Sequence, residues 1–188
     1  MRLDCYYFDQ GGKPFEERTK VNYDSPEIFD FDEMLADIRL LLDGKPVTRK
    51  GYNYAEHRRD DSEELMYPPE VLIIEGIHVF YDDRICDIMN LKLFIKVDSD
   101  ICLLRRIARD MNERGRSLES ISEQYKATVK PMREKYIDKY IDKADVVVMR
   151  GGMNEQALKT TISYLKSCVK EQRLAESEKN ESDGNDSE

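Results

Sequence analysis

Three short apolar runs punctuate an otherwise polar chain: Val71–Ile74 (VLII), Leu91–Val97 (LKLFIKV) and Val146–Met149 (VVVM). The first and third are continuous and rich in β-branched residues, the pattern of strands covered on both faces. Between and around them, apolar positions recur at helical spacing. Phe31–Leu42 puts Met34, Leu35, Ile38, Leu41 and Leu42 on one face, and Gly44 follows as a stop. Ile101–Met111 places Ile101, Leu104, Ala108 and Met111 in the same way, and Leu118–Val129 and Asn154–Val169 read as further helices. Strands alternating with helices predict βαβ units, and so an α/β fold with a mostly parallel sheet and flanking helices.

Three stretches break that rhythm. In Lys45–Tyr67 the segments Pro46–Tyr54 and Leu65–Tyr67 flank a polar turn, AEHRRDDSE, which reads as a β-hairpin inserted at about 45–67 and placed to act as a substrate flap. Arg2–Tyr7 resembles the end of a strand with nothing before it. Glu171–Glu188 holds seven acids, two bases and almost no apolar side chains. Such a segment cannot offset the entropy of ordering, so residues 171–188 are expected to be an acidic, disordered tail behind a domain at 1–170.

Composition narrows the class. The 188 residues suit one domain, and 40% hydrophobic content is too high for a chain disordered throughout. Of the net charge of −9, the tail accounts for −5. The acidic balance disfavours a nucleic-acid partner. No apolar run approaches the roughly 20 residues of a membrane span, and Met1-Arg2-Leu3-Asp4 lacks a signal peptide's apolar core. Cysteines at 5, 86, 102 and 168 never form CxxC, which indicates neither a zinc site nor a disulfide framework. They read as reduced thiols of a cytoplasmic protein.

Several residues have the right chemistry in the right places. Glu75 follows VLII and precedes Gly76. An acid at the carboxyl end of a buried parallel strand sits where α/β folds bind ligands and can help hold Mg²⁺, or it can simply pair with a base. Asp4, at another apparent strand end, is placed either to accept a proton from a substrate hydroxyl or to cap its own turn. Arg105, Arg106, Arg109, Arg114 and Arg116 crowd one helix and the turn after it, and Gly115 permits a tight loop. Guanidinium groups suit phosphate oxygens, although a solvated helix face paired with Asp110 and Glu113 explains them equally well. Tyr52, Tyr54 and His57 can stack on a flat heterocycle or merely pack across the hairpin. His78 reads as a locally satisfied side chain, and Gly11-Gly12 and Gly151-Gly152 as turns. Nothing matches G-x-x-x-x-G-K-[ST], the loop that cradles nucleotide phosphates.

Order carries more than any single piece. The succession LDCYYFD, VNYDSPEIFD, GYNYAEHR, VLIIEGIHVFYD, LKLFIKVDSDICLLRRIARDMNERGRS, QYKATVKPMREKYI and ADVVVMRGGMN closely resembles the uridine kinase (uridine–cytidine kinase) family of P-loop kinases over about residues 2–165. The resemblance implies ATP-dependent phosphorylation of uridine or cytidine to the 5′-monophosphate, in pyrimidine salvage, with Mg²⁺ and ATP or GTP as cofactors. It makes Asp4 the catalytic base. Tyr7 and Asp24 become nucleoside contacts, with Asp24 on the ribose hydroxyls, and Tyr52, Tyr54 and His57 the residues that enclose the pyrimidine. Arg106 and Gln124 become ribose-side contacts, Arg109, Arg114 and Arg116 the arginines near phosphate, and Glu75 the acid that supports Mg²⁺. Asn53 stands where the family usually has Asp. Relatives are often tetramers, so a homo-oligomer is implied, with a small-molecule partner and no nucleic acid or membrane.

The resemblance also implies a departure. Family members open with a strand, a P-loop and a helix, and none of the three is found here. The strand would lie mid-sheet between VLII and LKLFIKV, so both neighbours are expected to lose a hydrogen-bonding partner. Three readings follow: a nucleoside kinase impaired as it stands, a catalytically inactive nucleoside-binding or regulatory protein, or a phosphoribulokinase-like kinase of another small molecule.

Overall fold

The computed structural model describes residues 1–185. Seven α-helices are present among them: α1 (Phe15–Arg18), α2 (Phe31–Leu42), α3 (Asp83–Cys86), α4 (Ser99–Arg114), α5 (Leu118–Gln124), α6 (Lys130–Lys135) and α7 (Glu155–Asn185). Four strands accompany them: β1 (Val47–Asn53), β2 (Arg58–Met66), β3 (Leu93–Ile95) and β4 (Val146–Val148). The four cysteines are free. Among the described residues, no helix is long and apolar enough to cross a membrane.

Helix α2 shows why the local pattern works. Asp30 accepts a hydrogen bond from the Glu33 N–H at 2.9 Å, satisfying one donor of the first turn. Phe31, Met34, Leu35 and Ile38 are buried against Leu3, Tyr6, Tyr7, Phe29 and Ile85 in the main core, and Leu41 is buried as well. Full burial of side chains the size of Met34 or Ile38 contributes about 1.5–3 kcal/mol each. Gly44, at φ +77°, turns the chain out of the helix.

The parallel sheet is in two halves. β3 and β4 pair in parallel, Leu93 with Val146 through Ile95 with Val148. On the other side, Arg2 bridges Glu75 in parallel. The Leu3 N–H donates to the Glu75 carbonyl at 2.9 Å, and the Glu75 N–H to the Met1 carbonyl at 3.0 Å. Among the described residues no backbone hydrogen bond joins the halves. Val71–Ile74, expected to be a buried strand, forms no ladder, and Ile73 is 66% exposed. The segment meets the first residues of the chain only at its end, through Ile73 and Glu75, which is too short a contact to build a ladder.

The hairpin β1–β2 is antiparallel, with a register shift between Lys50 and Tyr52. Its second strand starts at Arg58, so the polar turn is shorter than the AEHRRDDSE reading allows. A two-stranded ribbon with both faces near solvent accepts RRDDSEE without an apolar stripe. Two arginines tie it down. Arg59 grips the Glu33 carboxylate with two nitrogens and donates to the Tyr7 carbonyl at 2.8 Å, while buried Arg18 on α1 donates to the Glu56 carbonyl.

Leu118–Val129 is not one regular helix. After α5 the chain makes a π-turn at Tyr125–Val129, with the Lys130 N–H donating to the Tyr125 carbonyl, before α6 begins. Pro131, at the start of α6, has no N–H to offer the preceding turn, a recognised cause of such bulges. Helix α7 is capped by Asn154, whose side chain accepts from the Ala157 N–H. It continues to Asn185, through most of the segment expected to be a disordered tail; residues 186–188 lie outside the described residues. Once nucleated, a helix propagates through good formers such as Glu, Lys, Ala and Arg, and Arg173 also pairs with Glu70.

Candidate nucleoside-kinase site

The first turn of the chain, the hairpin and the α4–α5 turn converge. Tyr7 is buried with its ring stacked on Phe29 (centroids 4.3 Å) and tilted against Tyr52 (4.6 Å), and its backbone bridges Phe29. Tyr52 meets Tyr54 edge-on at 5.2 Å. His57, at the hairpin turn with φ +50°, stacks on Tyr23 at 4.9 Å and 23°. Burial lowers the His57 pKa, with Arg18, Arg116 and Arg114 adding to the effect, so the ring is neutral near pH 7. Tyr7, Tyr52, Tyr54 and His57 thus form one aromatic group, with Tyr23 as a member that no sequence motif singled out.

Asp4, half-buried, accepts a hydrogen bond from the Tyr54 hydroxyl at 2.7 Å. The Arg114 guanidinium lies over the Tyr54 ring, 5.3 Å from its centroid. The α4 arginines are organised by Asp110, which is fully buried rather than part of a solvated face. Arg109 contacts it at 2.8 Å, Arg106 and Arg114 at 3.5 Å and Arg116 at 3.7 Å. Gly115, in the left-handed region at φ +61°, ends α4 and turns the chain back so that the Arg116 N–H reaches the Asp110 carbonyl. Periodicity shows Asp110 among the arginines but cannot show that it is buried beneath them.

A polar cluster adjoins this hub. Arg106 and Arg116 both donate to the Gln124 side-chain oxygen. Asp24 accepts from the Thr128 hydroxyl at 2.8 Å and faces Arg106 at 3.8 Å. Thr128 carries no sequence signal; the π-turn is what presents it. Glu75 stands apart from the cluster. Its exposed carboxylate has the Arg2 guanidinium as a loose partner at 3.8 Å. Gly76 follows at φ +156°, where an added Cβ would sit 2.5 Å from the Leu3 Cβ. Only glycine lets this strand end lie so close to the first turn.

Among the described residues, no group of three or more His, Cys, Asp or Glu side chains is arranged to hold a metal by itself. An open cleft of about 570 Å³ lies elsewhere, between Glu70, Val71 and the α7 side chains Ile162, Leu165 and Leu174, and contains none of these candidates.

The divided parallel sheet and its flanking helices are those of an α/β kinase fold, and the relatives make the chain a kinase at the level of the family. The chain belongs to the phosphoribulokinase/uridine kinase family, whose model matches residues 10–157. It is 42% identical over 170 residues to the uridine kinase of Ligilactobacillus salivarius, covering 90% of this chain and 80% of that protein. With the uridine kinase of Streptococcus gordonii the identity is 44% over 170 residues, covering 90% and 81%. A crystal structure of a candidate fructose transport system kinase from Silicibacter sp. TM1040 shares the fold, with a TM-score of 0.57 at 18% identity, covering 79% of this chain and 73% of that one.

Proposed function

We propose that this chain carries the acceptor side of a pyrimidine nucleoside kinase, binding uridine or cytidine and presenting the 5′-hydroxyl to Asp4. The observation that carries this reading is the hydroxyl already seated on Asp4, that of Tyr54 at 2.7 Å. A general base must lie within hydrogen-bond reach of the proton it takes, and the Asp4 carboxylate accepts a hydroxyl at that distance. Tyr7, Tyr52, Tyr54 and His57 supply aromatic faces for the base. Asp24 accepts from ribose hydroxyls, with Arg106 and Gln124 alongside. Arg109, Arg114 and Arg116 offer guanidinium groups to phosphate, and Asp110 keeps them from dispersing.

The donor would be ATP or GTP with Mg²⁺. A single exposed carboxylate, Glu75, suits Mg²⁺ that arrives on nucleotide phosphates with its own waters, since such ions need one or two protein carboxylates. When bound, the ion neutralises charge on the transferring phosphate. The 188 residues contain no G-x-x-x-x-G-K-[ST] loop. Positioning and charge stabilisation account for most of phosphoryl-transfer catalysis. Residues 1–188 are therefore expected to bind nucleoside without phosphorylating it, which is also the behaviour of a purely nucleoside-binding or regulatory protein. Calorimetric titration with uridine, cytidine and adenosine tests the reading. Saturable binding of the two pyrimidine nucleosides, weakened by Tyr52→Ala and Asp24→Asn, supports it, and equal or absent binding of all three overturns it.

A further inference from the structure

Asp24 is held from two sides. Its carboxylate meets Thr128 and Arg106, while its backbone carbonyl meets His78 Nε2 at 2.9 Å. Among the described residues, no backbone N–H donates to that carbonyl. His78 lies 54 residues further along, is fully buried, and sits among Phe29, Tyr136 and Tyr140 with ring centroids about 6 Å away. The Tyr140 hydroxyl is 3.0 Å from His78 Nδ1, and Tyr140 is itself buried.

Chemistry assigns the protons. A carbonyl only accepts, so Nε2 must carry the hydrogen; Nδ1 of a neutral ring is then an acceptor, and the Tyr140 hydroxyl must be its donor. The order Tyr140 to His78 to Asp24 runs in one direction, and the ring has a single usable tautomer and orientation. Burial lowers the His78 pKa, consistent with the neutral ring this order needs. Within the turn itself the Asn22 side chain accepts from the Asp24 N–H at 3.1 Å and the Asn22 carbonyl from the Ser25 N–H at 3.3 Å, but neither holds the Asp24 carbonyl.

We propose that His78 and Tyr140 are positioning residues of the nucleoside site: together they fix the Asp24 backbone, and through it aim the Asp24 carboxylate at the ribose hydroxyls. Neither residue touches the nucleoside. The proposal rests on the reading of Asp24 as the ribose acceptor. Without the His78 donor the half-buried Asp24 carbonyl loses its partner, and the turn shifts to find another. Removing the Tyr140 hydroxyl leaves Nδ1 bare and frees the ring to take the other tautomer, which no longer donates to Asp24.

The test is calorimetric titration of the full 188-residue chain with uridine and with 2′,3′-dideoxyuridine, together with thermal melting. Wild type should prefer uridine by about tenfold or more, and Asp24→Ala, which removes the acceptor altogether, should abolish that preference. His78→Leu and Tyr140→Phe should each cut the preference by about fivefold while dideoxyuridine affinity stays within about twofold. His78→Gln, whose amide N–H can still reach the carbonyl, should recover most of it. The His78→Leu/Tyr140→Phe double variant should be no worse than His78→Leu alone, because both act through one chain of bonds. If wild type shows no preference, or Asp24→Ala keeps it, the Asp24 reading fails and this proposal with it. If Asp24→Ala behaves as stated but His78→Leu and Tyr140→Phe retain full preference, the positioning role alone is overturned. Equal losses for both ligands would mean a purely structural role and also overturn it. Should His78→Leu fail to fold, Tyr140→Phe decides by the same criteria.

Discussion

The Tyr54 hydroxyl donates to the Asp4 carboxylate across 2.7 Å, joining the hairpin turn to the first turn of the chain. The two residues are 50 positions apart, so the contact exists only because the hairpin folds back over the sheet edge. It places a hydroxyl where a general base would accept one, and it hands the Tyr54 ring to Arg114 on its other side. A bound nucleoside must share or displace this bond to bring its own hydroxyl to Asp4.

Asp4→Asn is therefore expected to leave uridine affinity within about threefold of wild type, since an amide oxygen still accepts from Tyr54. In a version extended upstream with a relative's phosphate-loop segment, the same change should lower turnover by about a hundredfold or more, the usual contribution of a general base. Label transfer from ATP to uridine reads both versions. Turnover by residues 1–188 alone would refute the need for the loop, and undiminished turnover in extended Asp4→Asn would remove Asp4 as the base.

Asp110→Asn should destabilise the fold by about 3 kcal/mol, because it removes the one buried charge facing four guanidinium groups. The lower urea midpoint should be accompanied by faster amide exchange at 110–120, the turn that Asp110 organises. A variant with unchanged midpoint would mean that the arginines hold their places without it.

Acidification should weaken the fold through His57. Its folded pKa lies below the ordinary value of 6.5, so the unfolded chain takes up the proton first. Stability from this group is complete above about pH 6.5 and is lost as pH falls towards the folded value. Urea midpoints measured at pH 7.5 and 5.5 should fall less in His57→Gln than in wild type. An identical fall would assign the effect to other groups.

Gly76→Ala should cost about 2–3 kcal/mol, since the new Cβ meets the Leu3 Cβ at 2.5 Å in a backbone conformation that suits only glycine. The clash pushes the first turn away from Glu75, so uridine binding should weaken together with the thermal midpoint. Unchanged melting would show that this strand end can move freely.

Much of the scaffold was readable residue by residue. Phe31–Leu42 is helical over the whole range its apolar spacing marks, because a capped amphipathic helix depends on neighbours three and four positions away. β3 and β4 form within two of the three apolar runs. Val71–Ile74 carries the same local pattern yet forms no ladder, because strand pairing depends on a partner that a local pattern cannot supply. The hairpin's polar second strand was missed for a related reason: its stability comes from Arg59 reaching Glu33 and the Tyr7 carbonyl, far away in the chain.

By itself, the sequence determined the α/β class, the family, helices such as Phe31–Leu42 and the residue types suited to a nucleoside and a phosphate, since all of these rest on local periodicity and ordered motifs. Tertiary structure alone decided which of those residues meet. It set Tyr54 on Asp4, buried Asp110 under four arginines, used a π-turn to bring Thr128 to Asp24, and linked Asp24 to Tyr140 through His78. Hydrogen bonds and ion pairs act over a few ångströms between residues dozens of positions apart, and only the folded chain brings them within that range.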